Sequence, residues 1–133
     1  MSFKLYYFDI YGRAEAIRML LTHAKQDFED HRISGEQLAE LKAEGKLEFG
    51  QLPMLEHDGK NLVQSWAILR YLGKLFGYYP ESTEEAYKVD STLDAIEDYL
   101  GKYFKANFEK DEDRKKQFTS DFLAFLPGWL TAI

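Results

Sequence analysis

Apolar positions along the chain follow two different periods, which predict the order of strands and helices. Short apolar and aromatic runs at residues 3–8 and 28–33 predict strands. Two further runs, Met54-Leu55 and Leu62-Val63, flank Asp58-Gly59, a pair that tolerates positive φ and is typical of a β-hairpin turn. With a helical pattern after the first, second and fourth strands, the predicted order is β-α-β, a short α, then β-β-α.

Helix starts are indicated by capping residues ahead of apolar faces with helical spacing. Ser34 with Gln37 has the form of a capping box, which predicts a short helix to about Glu44. Ser65 stands where an N-cap belongs for the helix that follows the hairpin. A strand–helix–strand crossover makes the first two strands parallel, whereas the hairpin is antiparallel. We therefore expect a mixed four-stranded sheet with helices on its faces.

The second half of the chain is predicted to be entirely helical. Residues 78–81 interrupt the apolar pattern and are interpreted as a linker between two domains, 1–77 and 82–133. A long helix is predicted to begin at Ser82 and a second one to end at Pro127-Gly128, because proline and glycine disfavour a helix interior. The apolar face of that last helix consists of Phe118, Phe122, Phe125 and Leu126.

Composition narrows the function classes. The 133 residues are 45% hydrophobic, enough for a real core, and the net charge of −6 without a long basic run argues against nucleic acid or an anionic membrane as the main partner. There is no Cys, and His23, His31 and His57 lack ligand spacing, so we expect no metal site. Neither a signal peptide nor a membrane-spanning run is recognisable, so cytosol is the expected compartment.

Candidate chemistry concentrates around the hairpin. Pro53 removes a backbone donor at the start of a strand and can be cis, which leaves the backbone of Leu52 free to pair with an extended ligand. A helix beginning at Ser65 offers unpaired N–H groups and partial positive charge, both suited to a carboxylate. This stretch is interpreted as a site for a small peptide-like anion. An ordinary hairpin followed by a capped helix is the alternative reading.

A set of spaced motifs resembles a known family. They are Tyr7-Phe8 with Gly12-Arg13-Ala14-Glu15, residues 28–33, Phe49-Gly50-Gln51-Leu52-Pro53, Gln64-Ser65 with residues 67–72, and Val89-Asp90 through Asp98. In this order they resemble the cytosolic glutathione transferases, most closely the sigma class, which includes glutathione-dependent prostaglandin D synthases. The resemblance implies a thioredoxin-like α/β N-terminal domain and an all-α second domain that lacks its last helices. Both a fragment and a natural short form fit this length.

The resemblance assigns Tyr7 the catalytic role, as donor of its O–H to the glutathione sulfur. Such a hydrogen bond favours the ionised thiol, which otherwise titrates near pH ~8.5. The alternative is a strand aromatic in the core. Tyr6 and Tyr11 are nearby competitors, but Tyr6 should face the other side of the sheet, because strand side chains alternate.

The other glutathione contacts are also implied by the resemblance. Gln64 and Ser65 would hold the γ-glutamyl carboxylate and the Leu52 backbone would pair with the cysteinyl unit. Lys42 would meet the glycyl carboxylate, although a longer loop after Ala43 also admits Lys46. The remaining site residues implied are Phe8, Arg13, Leu38 (in place of a tryptophan), Gln51, Pro53 and Asp98, with Phe49 as a dimer contact. Structural roles remain open for several of these: a solvated Lys42, an ion-paired Arg13, a surface Asp98 and a core Phe49.

The function implied is conjugation of the glutathione thiolate to small hydrophobic electrophiles by a cytoplasmic homodimer, with glutathione as cosubstrate and no metal required. Isomerisation of prostaglandin H to D by the same thiolate is one alternative. A non-catalytic, crystallin-like binder of glutathione or hydrophobic molecules is the other. Neither nucleic acid nor a membrane is expected as a partner.

Overall fold

The computed structural model describes residues 2–133 and forms two compact units, one reaching Pro80 and the other comprising Glu81–Ile133. The first unit has the predicted order of elements. They are β1 (Phe3–Tyr7), a 3₁₀ turn (Gly12–Ala14), α1 (Glu15–His23), β2 (Phe28–Arg32), α2 (Gly35–Ala43), β3 (Met54–His57), β4 (Lys60–Val63) and α3 (Ser65–Leu75). The thioredoxin-like fold class is thus confirmed, with β1 and β2 each ending one residue before the predicted strand end.

The four strands form one mixed sheet in the order β2-β1-β3-β4. β1 runs parallel to β2, and the pairs β1–β3 and β3–β4 are antiparallel. The hairpin turn has φ values of 47° at Asp58 and 75° at Gly59, so both turn residues adopt the left-handed region that the Asp-Gly pair tolerates. The crossover and hairpin predictions are therefore both confirmed.

Local capping explains where α2 lies. The Ser34 hydroxyl accepts the Gln37 N–H at 3.3 Å, and the Gln37 side-chain oxygen accepts the Ser34 N–H at 2.9 Å. The helix runs to Ala43, with Glu44 as its C-cap. This reciprocal pair is the predicted capping box, and it satisfies two backbone donors at once.

Strand alternation divides the core into two clusters, one on each face of the sheet. Phe3, Leu5 and Tyr7 of β1 are buried in the cluster that includes α1 and α3 side chains. Tyr6 packs against the other cluster, which includes Met54 and the α2 residue Leu41. The prediction that Tyr6 and Tyr7 face opposite sides is confirmed, as the period of two requires.

The start of α3 differs from the prediction. Gln64, not Ser65, is the N-cap, because its carbonyl accepts the first helical bond, from the Ile68 N–H at 2.9 Å, while its own backbone is non-helical at φ 72° and ψ 109°. Ser65 is the first helical residue and is buried. The sequence thus predicted the start of α3 one residue too late, because glutamine is not among the residues typical of an N-cap.

The second unit consists of two helices, α4 (Thr83–Phe108) and α5 (Glu112–Ala132). Ser82 caps α4 by accepting the Glu85 N–H at 3.5 Å, and Asp111 caps α5 by accepting the Arg114 N–H at 2.9 Å. Among the described residues, no helix combines the length and apolar character needed to cross a lipid bilayer.

The predicted end of α5 at Pro127-Gly128 is wrong, because the helix continues to Ala132. Contacts beyond the proline hold this last turn. The Trp129 indole donates to the Ala95 carbonyl of α4 at 2.8 Å, and its ring stacks on Tyr99 with centroids 4.8 Å apart. The Thr131 hydroxyl also donates to the Pro127 carbonyl at 2.9 Å. Tertiary contacts here outweigh the unfavourable helix propensity of proline.

Candidate functional site

The sheet register brings the predicted site residues of the first unit to one end of the sheet. Tyr6 lies opposite Met54 in the β1–β3 pair, and Met54 lies opposite Val63 in the β3–β4 pair. The neighbouring residues Tyr7, Pro53 and Gln64 therefore gather at the same end, although they are far apart in sequence. A ligand at this end of the sheet meets residues from β1, from the segment before β3 and from the start of α3.

Tyr7 is buried, with 6% of its surface exposed, and its ring lies 5.7 Å from that of the half-buried Phe8. Its hydroxyl oxygen accepts the backbone N–H of Arg13 at 3.2 Å. Among residues 2–133, the hydroxyl forms no other hydrogen bond. A phenol that accepts one bond can still donate its own proton, so the Tyr7 O–H is available to a ligand. Tyr11, a competitor in the sequence, is 75% exposed.

The loop beside Tyr7 is held by Arg18, which the sequence analysis missed. Arg18 is 7% exposed and donates to the carbonyls of Ile10 at 3.1 Å and Tyr11 at 3.4 Å. It also forms salt bridges with Glu15 at 2.9 Å and Asp30 at 3.1 Å. The sequence signal was an arginine between the apolar residues Ile17 and Leu21, three residues after Glu15.

Side-chain amides and a hydroxyl cluster where β4 meets α3. The Gln64 amide donates to the Gln51 side-chain oxygen at 3.5 Å, and the Leu52-Pro53 peptide bond is cis. Ser65 lies buried at the first turn of α3, where the N–H groups of a helix start carry partial positive charge. This arrangement can hold a carboxylate beside amide donors and acceptors.

The two candidate lysines differ in their surroundings. Lys46 pairs with Glu44 at 2.7 Å, and the hydrogen bond to this carboxylate raises the pKa of Lys46 above its ordinary value. Lys42 forms no salt bridge with any of residues 2–133, and its Cε lies 3.7 Å from the point that a Cβ on Gly50 would occupy. Lys42 is therefore the more available cation, next to the loop that precedes Gln51.

The other predicted site residues belong to other elements of the chain. Leu38 packs against the α2 side of the core, and Asp98 is exposed on α4 in the second unit. Phe49 is 60% exposed and borders a groove of about 360 Å³. The groove is lined by Glu48, Phe49, Asn61, Leu62, Val63, Gln64, Ala67, Ile68 and Tyr71. In the described residues, no group of three or more acidic or histidine side chains is arranged to hold a metal ion.

Comparison with known proteins identifies the family of this chain. Residues 3–74 match the family model described as "Glutathione S-transferase, N-terminal domain". A probable glutathione S-transferase 7 of Caenorhabditis elegans is 41% identical over 132 residues, which cover 97% of this chain and 62% of that protein.

Two solved structures are similar over almost the whole chain. The prostaglandin synthase D of Nilaparvata lugens has a TM-score of 0.81 at 37% identity, covering 92% of this chain and 61% of that one. A monomeric glutathione S-transferase of the hookworm Necator americanus has a TM-score of 0.80 at 34% identity, covering 97% and 64%. The chain thus spans less than two thirds of the length of these relatives, and it belongs to the glutathione S-transferase family.

Proposed function

We propose that this chain binds glutathione and activates its thiol for conjugation to small hydrophobic electrophiles. The observation that carries the proposal is the buried Tyr7 hydroxyl, whose oxygen accepts a backbone N–H and whose proton is available at the end of the sheet. A donor fixed before the ligand arrives stabilises a developing thiolate without reorganising. Family membership and the names of the relatives support the same chemistry.

The reaction needs no covalent intermediate with the protein and no metal. The bound thiol loses its proton to solvent, assisted by the Tyr7 O–H, and the thiolate attacks an electrophilic carbon. A carbon–sulfur bond forms while, with an aryl halide as acceptor, the carbon–halogen bond breaks and halide leaves. The protein contributes thiol activation and proximity of the two reactants.

Each part of glutathione has a proposed partner in the first unit. Ser65 and Gln64, at the start of α3, receive the γ-glutamyl carboxylate, and Gln51 supports Gln64 through the 3.5 Å amide contact. The Leu52 backbone pairs with the cysteinyl unit, next to Pro53. The available Lys42 meets the glycyl carboxylate. Phe8 and Arg13 border the sulfur, and Leu38 borders the glycyl end.

The proposal includes a cytoplasmic homodimer of sigma-class type. The exposed Phe49 and the groove beside it support a two-fold contact. In a two-fold dimer each subunit would insert its Phe49 into the groove of the other, so the same surface is used on both subunits. In such a dimer, Asp98 would reach the glutathione of the partner subunit. The hookworm relative is described as monomeric, so sedimentation of wild type and Phe49→Ser tests this part. We expect a dimer that Phe49→Ser dissociates, whereas a monomeric wild type would contradict it.

Isomerisation of prostaglandin H to D is the second candidate, favoured by the likeness to the Nilaparvata lugens prostaglandin synthase. The two activities differ in stoichiometry. Conjugation consumes one glutathione per product, whereas isomerisation leaves the glutathione concentration unchanged. Glutathione binding without either product would favour the third reading, a non-catalytic binder.

The proposal is tested with Tyr7→Phe, using Tyr6→Phe as the matched control on the opposite face of the same strand. We expect Tyr7→Phe to lower turnover with an aryl halide by about 10²–10³-fold, the usual cost of one donor to a developing charge. Its glutathione Kd should stay within about threefold, since one neutral hydrogen bond contributes little net binding energy. Calorimetric titration and steady-state kinetics measure both. Equal turnover in wild type and Tyr7→Phe would remove Tyr7 from the mechanism.

A further inference from the structure

The approach of Gly12 to Tyr7 is the closest glycine contact in the described structure. A Cβ built on Gly12 would lie 2.6 Å from the Tyr7 hydroxyl oxygen and 2.8 Å from the ring carbon Cε1. Real Cβ atoms do not approach heavy atoms this closely. Gly12 also has φ +40°, in the left-handed region that favours glycine. Both its conformation and its neighbour therefore require the absence of a side chain at this position.

This close approach brings the next backbone N–H into reach of the phenol. Arg13 donates its N–H to the Tyr7 oxygen at 3.2 Å, and Gly12 is the residue immediately before it. The loop is fixed on its other side by Arg18, through the carbonyls of Ile10 and Tyr11. A buried guanidinium on one side and a buried tyrosine on the other thus determine where this backbone segment lies.

We propose that Gly12 is a positioning residue that lets the loop backbone clamp the Tyr7 hydroxyl and set the direction of its proton. A phenol proton prefers the ring plane and has two orientations there. The N–H bond from Arg13 occupies one side of the oxygen, so the proton turns to the other side, towards the ligand. The inference rests on the proposed role of Tyr7 and extends it to a residue that does not touch glutathione.

The test compares two glycine substitutions at positions that both have a positive φ. Gly12→Ala places a Cβ against the Tyr7 hydroxyl. Gly77→Ala is the matched control, because Gly77 has φ +77° and a Cβ there meets nothing within 4 Å. The first readout is hydrogen exchange of the Arg13 amide, followed by NMR in the full chain. The second is the pH titration of the thiol of bound glutathione, followed by thiolate absorbance.

We expect the Arg13 amide to exchange roughly threefold to tenfold faster in Gly12→Ala, as for loss of one hydrogen bond, and at the wild-type rate in Gly77→Ala. The bound thiol should titrate closer to ~8.5 in Gly12→Ala, and its thiolate fraction near neutral pH should fall about tenfold. Combined with Tyr7→Phe, Gly12→Ala should produce no further change in the thiol titration. That absence of additivity separates an effect through Tyr7 from a general loosening of the site.

Tyr7→Phe alone provides an arm that does not depend on the folding of Gly12→Ala. It removes the acceptor, so the Arg13 amide should again exchange faster. Any of three results would overturn the clamp. The Arg13 amide could exchange at the wild-type rate in Tyr7→Phe, or Gly12→Ala and Gly77→Ala could change this exchange equally. Alternatively, Gly12→Ala could shift the thiol titration as much in the Tyr7→Phe background as in wild type. A wild-type chain that fails to bind glutathione would overturn the proposed function, while Arg13 exchange would still decide whether the clamp exists.

Discussion

The two units of this chain bury their apolar side chains to very different extents. Among residues 2–133, the largest fully buried side chains all belong to the first unit, on β1, β3, α1 and α3 and at Pro53 just before β3. In the second unit, Ala106 is the one buried residue of α4, and α5 has none. A sheet covered by helices encloses two layers of side chains, whereas two helices can bury only the seam between them. We therefore expect the first unit to hold its site residues in more fixed positions than the second unit could.

The seam of the second unit is held by aromatic rings rather than by enclosed aliphatic side chains. Tyr99 stacks on Trp129, and the rings of Tyr99 and Tyr103 both meet Phe122 at centroid distances of 5.6 and 6.0 Å. Such pairs contribute about 0.5–1.5 kcal/mol beyond their burial. Aromatic rings therefore give these two helices a defined register, although most of their surface stays exposed.

The largest contrast is expected from matched truncations in the two units. Leu55→Ala removes a fully buried side chain in β3 and should lower the unfolding free energy of the first unit by about 2–5 kcal/mol. Leu126→Ala removes a half-buried side chain in α5 and should lower that of the second unit by less than about 1.5 kcal/mol. Segment-resolved hydrogen exchange under urea measures each unit separately.

Amide hydrogen exchange of the wild-type protein provides the baseline for Leu55→Ala and Leu126→Ala. Slower exchange is expected in β1 and β3 than in α5, because local opening of a half-exposed helix exposes little apolar surface. Equal losses for the two leucines, or slow exchange throughout α5 in a monomeric sample, would contradict the contrast between the units.

Features of the first unit that depend on local chemistry could be predicted from the sequence. The Asp58-Gly59 turn needs positive φ, and the Ser34 box needs only residues three apart, so neither depends on distant parts of the chain. The β-α-β-α-β-β-α order followed from such local signals. The resemblance then pointed to Tyr7 and to the Gln64 region, and the register explains why they lie at one end of the sheet.

What could not be predicted depends on contacts between residues far apart in sequence or on exact backbone positions. The Trp129 indole reaches Ala95 across 34 residues, and this bond supports α5 beyond Pro127. The hydrogen bond from Arg18 to the Ile10 carbonyl and the close approach of Gly12 to Tyr7 depend on the exact path of the backbone between β1 and α1. The spacing of apolar residues does not determine that path. That Lys42 is more available than Lys46 could not be predicted, because it depends on the salt bridge between Lys46 and Glu44.

Replacing the proline inside α5 should reduce the difference in unfolding free energy between the two units. Pro127→Ala should stabilise the second unit by about 1–2 kcal/mol, because proline in a helix interior costs about 3 kcal/mol while its loss makes the unfolded chain more flexible. Gly128→Ala is the neighbouring control: a Cβ there meets nothing within 4 Å, and about 0.5–1 kcal/mol is expected from helix propensity alone. Exchange rates in α5 measure both gains. Destabilisation by Pro127→Ala would indicate that Pro127 is needed to position the Trp129 indole against the Ala95 carbonyl.

The smallest expected effect concerns the pH dependence of the first unit and the face of the sheet opposite Tyr7. The pKa of Tyr6 is raised above its ordinary value of 10.0, first by burial and then by the nearby Glu56 carboxylate, whose oxygen lies 3.5 Å from the phenol. The folded state therefore holds this proton more tightly than the unfolded chain. The stability contributed by Tyr6 is fully present below about pH 10 and is lost as pH rises through the raised pKa.

Tyr6→Phe has no proton to lose, so its unfolding free energy should fall less steeply than that of wild type between about pH 9 and 11. Glu56→Gln removes the second cause but leaves the burial, so its slope should lie between the other two. Urea unfolding at several pH values measures all three slopes. Glutathione affinity near neutral pH should be the same in all three proteins, because neither Tyr6 nor Glu56 is among the proposed glutathione contacts. A Tyr6→Phe slope as steep as that of wild type would mean that other groups dominate the alkaline loss of stability. A loss of glutathione affinity in Tyr6→Phe would mean that the cluster shared by Tyr6 and Leu38 supports the glutathione site.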